Sequence, residues 1–309
     1  METSVILCAS VARSGATIRS MKSSFRWAVL ITTVAATGAM VHAQWEKRPD
    51  PRVPRLPNGQ VNLDAATPRT ADGHPDLSGL WTRARGDGRG RGRGADATPP
   101  PPPPPGTPPI ATFGNLGTNM PDGLPLTPWA NDLLKQRMAA QSKENPDANC
   151  MPMGFTQFHQ QPQPREIVQL PQKILLLYEA NYGLRQIYTD GRTLPKQGDP
   201  QPQWYGYSVG RWDGDTLVVE SNNLRGAEDG PFDGWLDVRG SPYSRDAKFT
   251  ERFTRPTFGR LTLDVTVDDP KAYTKPFTVR INQQIMADTE LIEFVCNENQ
   301  QFRRRIKID

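Results

Sequence analysis

The chain has 309 residues, 36% of them hydrophobic, with 31 prolines, 26 glycines and a formal net charge of +4. That length suffices for one domain with its own core, and so modest a charge excludes the global basic field of a nucleic-acid-binding protein.

The first readable element is a leader. Lys22 and Arg26 precede an apolar run over 27–40, followed by Val41-His42-Ala43, the parts of a cleavable signal peptide. The run is shorter than the roughly 20 residues a spanning helix needs, so no integral membrane span is expected. Met21-Lys22 is a typical signal start, which makes Met21 the expected initiator. The chain is therefore divided into a leader over 1–43, an extended segment over 44–76 and a folded domain over 77–309, in a periplasmic or secreted protein. Cleavage removes Cys8 and leaves Cys150 and Cys296. Two distant cysteines in an oxidising compartment predict a structural disulfide. The alternative, a nucleophilic Cys150, would need a basic partner, and His159 is the nearest histidine in sequence.

Residues 76–82 predict a first strand. Residues 83–94 read RARGDGRGRGRG and lead to seven prolines over 99–105. Gly-rich and polyproline sequence buries no core, so 83–112 is expected to be a disordered insertion. No aromatic residues interleave its arginines to stack bases, which argues against RNA. Thr127 as N-cap and Pro128 at the first helical position predict a helix to about Ala140, amphipathic through Leu133, Leu134, Arg137, Met138 and Gln141. From Arg165 onward strands are predicted at 166–170, 173–179, 184–188, 204–212, 216–221, 247–255, 261–267, 277–285, 290–295 and 302–308. Asp213-Gly214 supplies the positive φ of a tight hairpin. Leu261, Leu263, Val265 and Val267 alternate with polar residues, so one face of that strand is buried. The fold class is mainly β: an antiparallel barrel with one N-terminal helix, or alternatively a two-sheet sandwich. A barrel of this size holds side chains or one small ligand inside.

Gly79-Leu80-Trp81 resembles the Gly-x-Trp that opens the first strand of calycins, the barrel group of the lipocalins. The resemblance implies that Trp81 plugs one barrel end beneath a late-strand arginine, for which Arg303, Arg304 and Arg305 are candidates. In addition, PDLSGLW from Pro75, REIVQ from Arg165, QIYTDGR from Gln186, GRWDGDTLVV from Gly210, Glu251-Arg252-Phe253, DDPKAYTKP from Asp268 and CNEN from Cys296 resemble a family of secreted proteins of unknown function common in soil bacteria. Members of that family carry histidines where this chain has Tyr207, Tyr243 and Lys248. Any metal or acid–base work those histidines do elsewhere is not available to this chain through imidazole.

Only three histidines are present, one of them in the leader, so a histidine-based zinc site is close to excluded and no cofactor or metal is expected. Neither a Ser-His-Asp order, a Gly-rich phosphate loop nor a Gly-x-Ser-x-Gly elbow occurs. The remaining chemistry lies in Tyr207, Tyr243, Lys248, Glu166, Arg185 and Glu251, with Arg252 and Glu293 beside them. Two functions follow. One is a barrel that binds a small apolar or aromatic molecule bearing a carbonyl or carboxylate, with Tyr207 and Tyr243 as donors and Lys248 as the charged contact. The other is a cofactor-independent isomerase or lyase in which the same Tyr and Lys residues move protons. Against both stands the plain reading that strand tyrosines and arginines pack and pair on the surface.

Overall fold

The computed structural model describes residues 47–84 and 104–296. The leader, the Arg-Gly and proline tracts up to residue 103, the strand expected at 302–308 and Arg303 to Arg305 lie outside the described residues.

Among the described residues nine strands close into one barrel: β1 (Gly79–Arg83), β2 (Arg165–Leu170), β3 (Lys173–Tyr178), β4 (Gly183–Tyr188), β5 (Tyr207–Asp213), β6 (Thr216–Asn222), β7 (Lys248–Thr257), β8 (Arg260–Asp268) and β9 (Phe277–Ile285). Strands adjacent in sequence are adjacent in space, and β9 returns to β1, with Trp81 opposite Ile285. A ring of nine strands cannot alternate direction all the way round. One neighbouring pair must run parallel, and here it is β4 with β5, joined only through Ile187–Ser208 and Tyr188–Val209. This seam is the departure from a wholly antiparallel barrel.

The strand expected at 290–295 does not form. β9 is already paired on both sides, by β8 and β1, so no edge remains for it. The disulfide instead ties Cys296 to Cys150, with Cα atoms 5.6 Å apart. Beyond the end of β1, the last part of the expected insertion lies against β9: the Ala111 amide donates to Arg280 O at 2.8 Å, and the Arg280 amide donates to Pro109 O at 2.9 Å.

Period-two alternation builds the core. In β8, Leu261, Leu263, Val265 and Val267 point inward and the residues between them outward. The interior is also filled by the chain itself. Met153, Phe155, Phe158 and His159 are buried around the one-turn helix α2 (Gln157–Gln160), and Phe155 stacks on Phe249 of β7 with centroids 4.0 Å apart. Thr156 enters this plug at φ +74°, a conformation that costs a β-branched residue on the order of 1–3 kcal/mol. Its hydroxyl donates to Leu236 O at 2.6 Å and helps hold it there.

The long helix α1 (Pro128–Ala139) starts as expected, with Thr127 Oγ1 accepting from the Ala130 amide. Its buried residues are Ala130 and Arg137, whereas Met138 is exposed, so the expected apolar stripe is not the face that docks. Arg137 docks instead, because a guanidinium can satisfy several loop carbonyls at once. It donates to the carbonyls of Asp233, Gly234 and Gly240 and lies over the Trp235 ring.

Arg255 does the same for the N-terminal segment. It donates to the carbonyls of Asp76, Ser78 and Phe258, with its guanidinium 4.9 Å from the Trp81 ring centroid. Among the described residues, an arginine of β7 thus lies over Trp81. Residues 47–78 strap across the β7–β8 turn through Phe258 N–Ala65 O and Gly259 N–Leu63 O bonds, and His74 stacks on Trp212.

Candidate functional site

The inward positions of four neighbouring strands place Arg185 on β4, Ser208 on β5, Ser221 on β6 and Glu251 on β7 in one buried group. Arg185 Nη1 donates to Glu251 Oε1 at 2.9 Å, and Nη2 donates to Oε2. The same guanidinium donates to Ser208 Oγ at 3.1 and 3.3 Å and to Ser221 Oγ at 3.0 Å, while the two hydroxyls lie 2.8 Å apart. His159 joins from α2, its Nε2 2.8 Å from Glu251 Oε1. The rings of Phe155 and Phe158 flank the guanidinium.

Burial pushes the His159 imidazole down to about 4, against the pull of Glu251. Burial would raise the Glu251 carboxyl, but Arg185 and the His159 hydrogen bond outweigh it and hold the group at about 2. At neutral pH the pair is thus a neutral imidazole donating Nε2–H to a carboxylate, a hydrogen bond rather than an ion pair. Nδ1 keeps its lone pair and has no hydrogen-bond partner among the described residues. Arg165, at the start of β2, lies beside this group and donates to the backbone carbonyls of His159 and Gln161.

The seam gives the buried group a way out. Because β4 and β5 share only two residue pairs, the first half of β4 and the approach to β5 diverge, leaving a cleft of about 370 Å³. Its walls include Tyr188, Trp204, Tyr205 and Tyr207, and Arg185 and Ser208, both buried, form its inner side. Tyr205 packs its ring on Tyr178 and edge-on to Phe158, with centroids 5.8 and 5.6 Å away. Tyr207 stacks on Tyr188, and its hydroxyl accepts from Arg192 at 2.9 Å.

Of the residues singled out in the sequence, Arg185 and Glu251 meet, and Tyr207 lines the cleft above them. Tyr243, Lys248 and Glu166 lie elsewhere. Tyr243 is buried in the connection between β6 and β7, edge-on to Phe249. Lys248 is exposed, since it is three residues from inward-facing Glu251 and falls on the outer face. Glu166 sits between inward Arg165 and Ile167 and lines a separate groove beside the N-terminal segment. Arg252 pairs on the surface with Asp213 at 2.9 Å. Tyr207 thus lines the cleft, whereas Tyr243 and Lys248 do not. Among the described residues no three His, Cys, Asp or Glu side chains stand close enough to hold a metal ion.

Sequence reasoning weighed His159 only as a partner for Cys150 and did not single out Ser208, Ser221 or Arg165. A usable signal was present in β7, where Glu251 occupies the apolar register between Phe249 and Phe253. A charge in that register must find a partner inside.

The chain matches no family model, no curated protein and no solved structure. Function is therefore argued from the cleft and the buried group alone.

Proposed function

We propose that this is a periplasmic or secreted protein that binds a small molecule in the seam cleft, the ligand having an aromatic or apolar body and a carbonyl or carboxylate end. The observation that carries the reading is the cleft itself: aromatic walls leading to an inner side of Arg185 and Ser208. Its volume is at the small end of ligand pockets, which run from about 300 to 1,000 Å³, so it suits one or two rings. Positive charge exceeds negative in the buried group at the inner side. Arg185 and Arg165 each carry a guanidinium, whereas Glu251 is the one carboxylate in the group and His159 is neutral. The complementary ligand end is an acceptor. The isomerase or lyase alternative requires Tyr207, Tyr243 and Lys248 together, and only Tyr207 lines the cleft.

The test is calorimetric titration with single-ring aromatic carbonyls and carboxylates, using wild type and Leu184→Trp. Leu184 lines the cleft but is exposed, so a larger side chain there blocks entry without touching the buried group. Saturable binding that is lost in Leu184→Trp, at unchanged melting temperature, is the expected result. Binding that persists in the blocked variant, or no binding by any member of the series, refutes the reading.

A further inference from the structure

We infer that the acceptor end of the ligand is a carboxylate, held by the hydroxyls of Tyr205 and Ser208, and that Tyr205 is the residue that tells a carboxylate from a carbonyl. This rests on the cleft reading above and narrows it to one chemical class.

Three observations lead there. First, the Tyr205 hydroxyl is buried at the cleft wall with no hydrogen-bond partner among the described residues. A withdrawn hydroxyl left unpaired is costly, so its presence calls for a partner that the described residues do not supply. Burial also raises the phenol above its ordinary value, so at neutral pH it donates. Second, the socket is shaped for that hydroxyl. A Cβ at Gly183 would collide with the Tyr205 hydroxyl and the Tyr178 ring, so the glycine is what lets the phenol reach this depth. Stacking on Tyr178 and the edge contact with Phe158 then fix the ring in place, which lowers the cost of using it. Third, the charges are unequal. Within the group Arg165, Arg185, Glu251 and His159, two guanidiniums face one carboxylate and a neutral imidazole.

These observations also say how the grip works. Arg185 is already matched by Glu251, so an incoming anion does not displace that pair. It takes neutral donors and the surplus positive field. Ser208 Oγ accepts from Arg185, and with Ser221 supplying the proton of their 2.8 Å contact Ser208 has its own to give. Tyr205 and Ser208 are three residues apart on the same wall, and both line the cleft. A carboxylate offers two oxygens to these two donors; a ketone offers one.

The experiment compares benzoate with acetophenone, a neutral probe of similar size, by calorimetric titration of wild type, Tyr205→Phe and Leu184→Trp. Wild type should bind benzoate more tightly than acetophenone. Tyr205→Phe should weaken benzoate about ten- to a hundredfold, as expected for loss of a hydrogen bond to a charged group, and change acetophenone less. Equal affinity for the two probes in wild type, or unchanged benzoate affinity in Tyr205→Phe, overturns the carboxylate inference while leaving the cleft standing. Failure of both probes to bind, or binding that survives in Leu184→Trp, overturns the cleft reading and this inference with it. The wild-type comparison needs no variant, so it decides the matter even if Tyr205→Phe fails to fold.

Discussion

His159 Nε2 lies 2.8 Å from Glu251 Oε1 at the centre of the barrel, and both side chains are withdrawn from water. Burial holds the folded imidazole at about 4, below its ordinary 6.5. The unfolded chain takes up the proton near 6.5 and the folded chain does not until about 4, so stability is lost as pH falls through that window. Glu251 adds a second loss at lower pH: its folded value of about 2 lies below the ordinary 4.5, so its contribution is complete above 4.5 and falls away toward 2. Urea midpoints measured against pH should therefore decline between 6.5 and 4 and continue downward. His159→Gln should flatten the upper part of the decline. A wild-type midpoint that stays constant over that interval would falsify the neutral assignment.

Arg185 and Glu251 form a two-point contact in which both side chains are buried. Removing one partner leaves a buried charge uncompensated, at a cost of roughly 3–5 kcal/mol. Glu251→Gln and Arg185→Met should each destabilise by about that amount. The double variant Arg185→Met with Glu251→Met should be far less damaging than the two losses added together. Additive losses in denaturant titrations would mean that the two groups do not act as a pair.

The Cys150–Cys296 bond closes a loop with a sequence separation of 146. A chain-entropy argument assigns such a loop about 4–5 kcal/mol of stability, through restriction of the unfolded chain. Reduction should lower the melting temperature without abolishing the barrel, and Cys150→Ala with Cys296→Ala should behave like the reduced protein. Two reactive thiols in denatured, unreduced protein would show that the bond is not made.

Arg255 holds the N-terminal segment to the barrel through three carbonyls and covers Trp81. Arg255→Met keeps much of the packing volume and removes every one of those bonds. Limited proteolysis should then cut within 47–78 well before it cuts the barrel. Trp81→Ala, by contrast, empties a fully buried site and should cost about 3–5 kcal/mol. Equal protease resistance of wild type and Arg255→Met would show that the segment is held by other contacts.

Much of the barrel was legible in the sequence, because alternation and turn residues are local signals. The ninth strand has its expected bounds, 277–285, Thr127-Pro128 starts the helix, and Gly214 has the positive φ expected at the hairpin. The parallel seam was not legible, since it follows from the parity of the strand count and not from any residue in β4 or β5. The docking face of α1 was misread because Arg137 is buried by carbonyls that arrive from residues 233–240, about a hundred positions away. At the site, register alone explains why Glu251 and Arg185 point inward and Lys248 does not. His159 carries no such signal: it sits in a segment without periodicity, and the barrel closing around that segment is what buries it.

The position of β1 sets the order in which the barrel can be completed. Of the described strands synthesis delivers β1 first, yet its partners are β2, after residues 84–164 have been made, and β9, the last of them to appear. The β2–β3, β3–β4, β5–β6 and β7–β8 hairpins need only short loops and can zip early, whereas β7 must first be reached across residues 223–247 and ring closure brings together the two most distant of the described strands. Until then β2 and β9 each present an unpaired flank, a template on which another nascent chain could add. The interval before β1 docks is when this protein is most exposed to aggregation, and substitutions that weaken β1 prolong it.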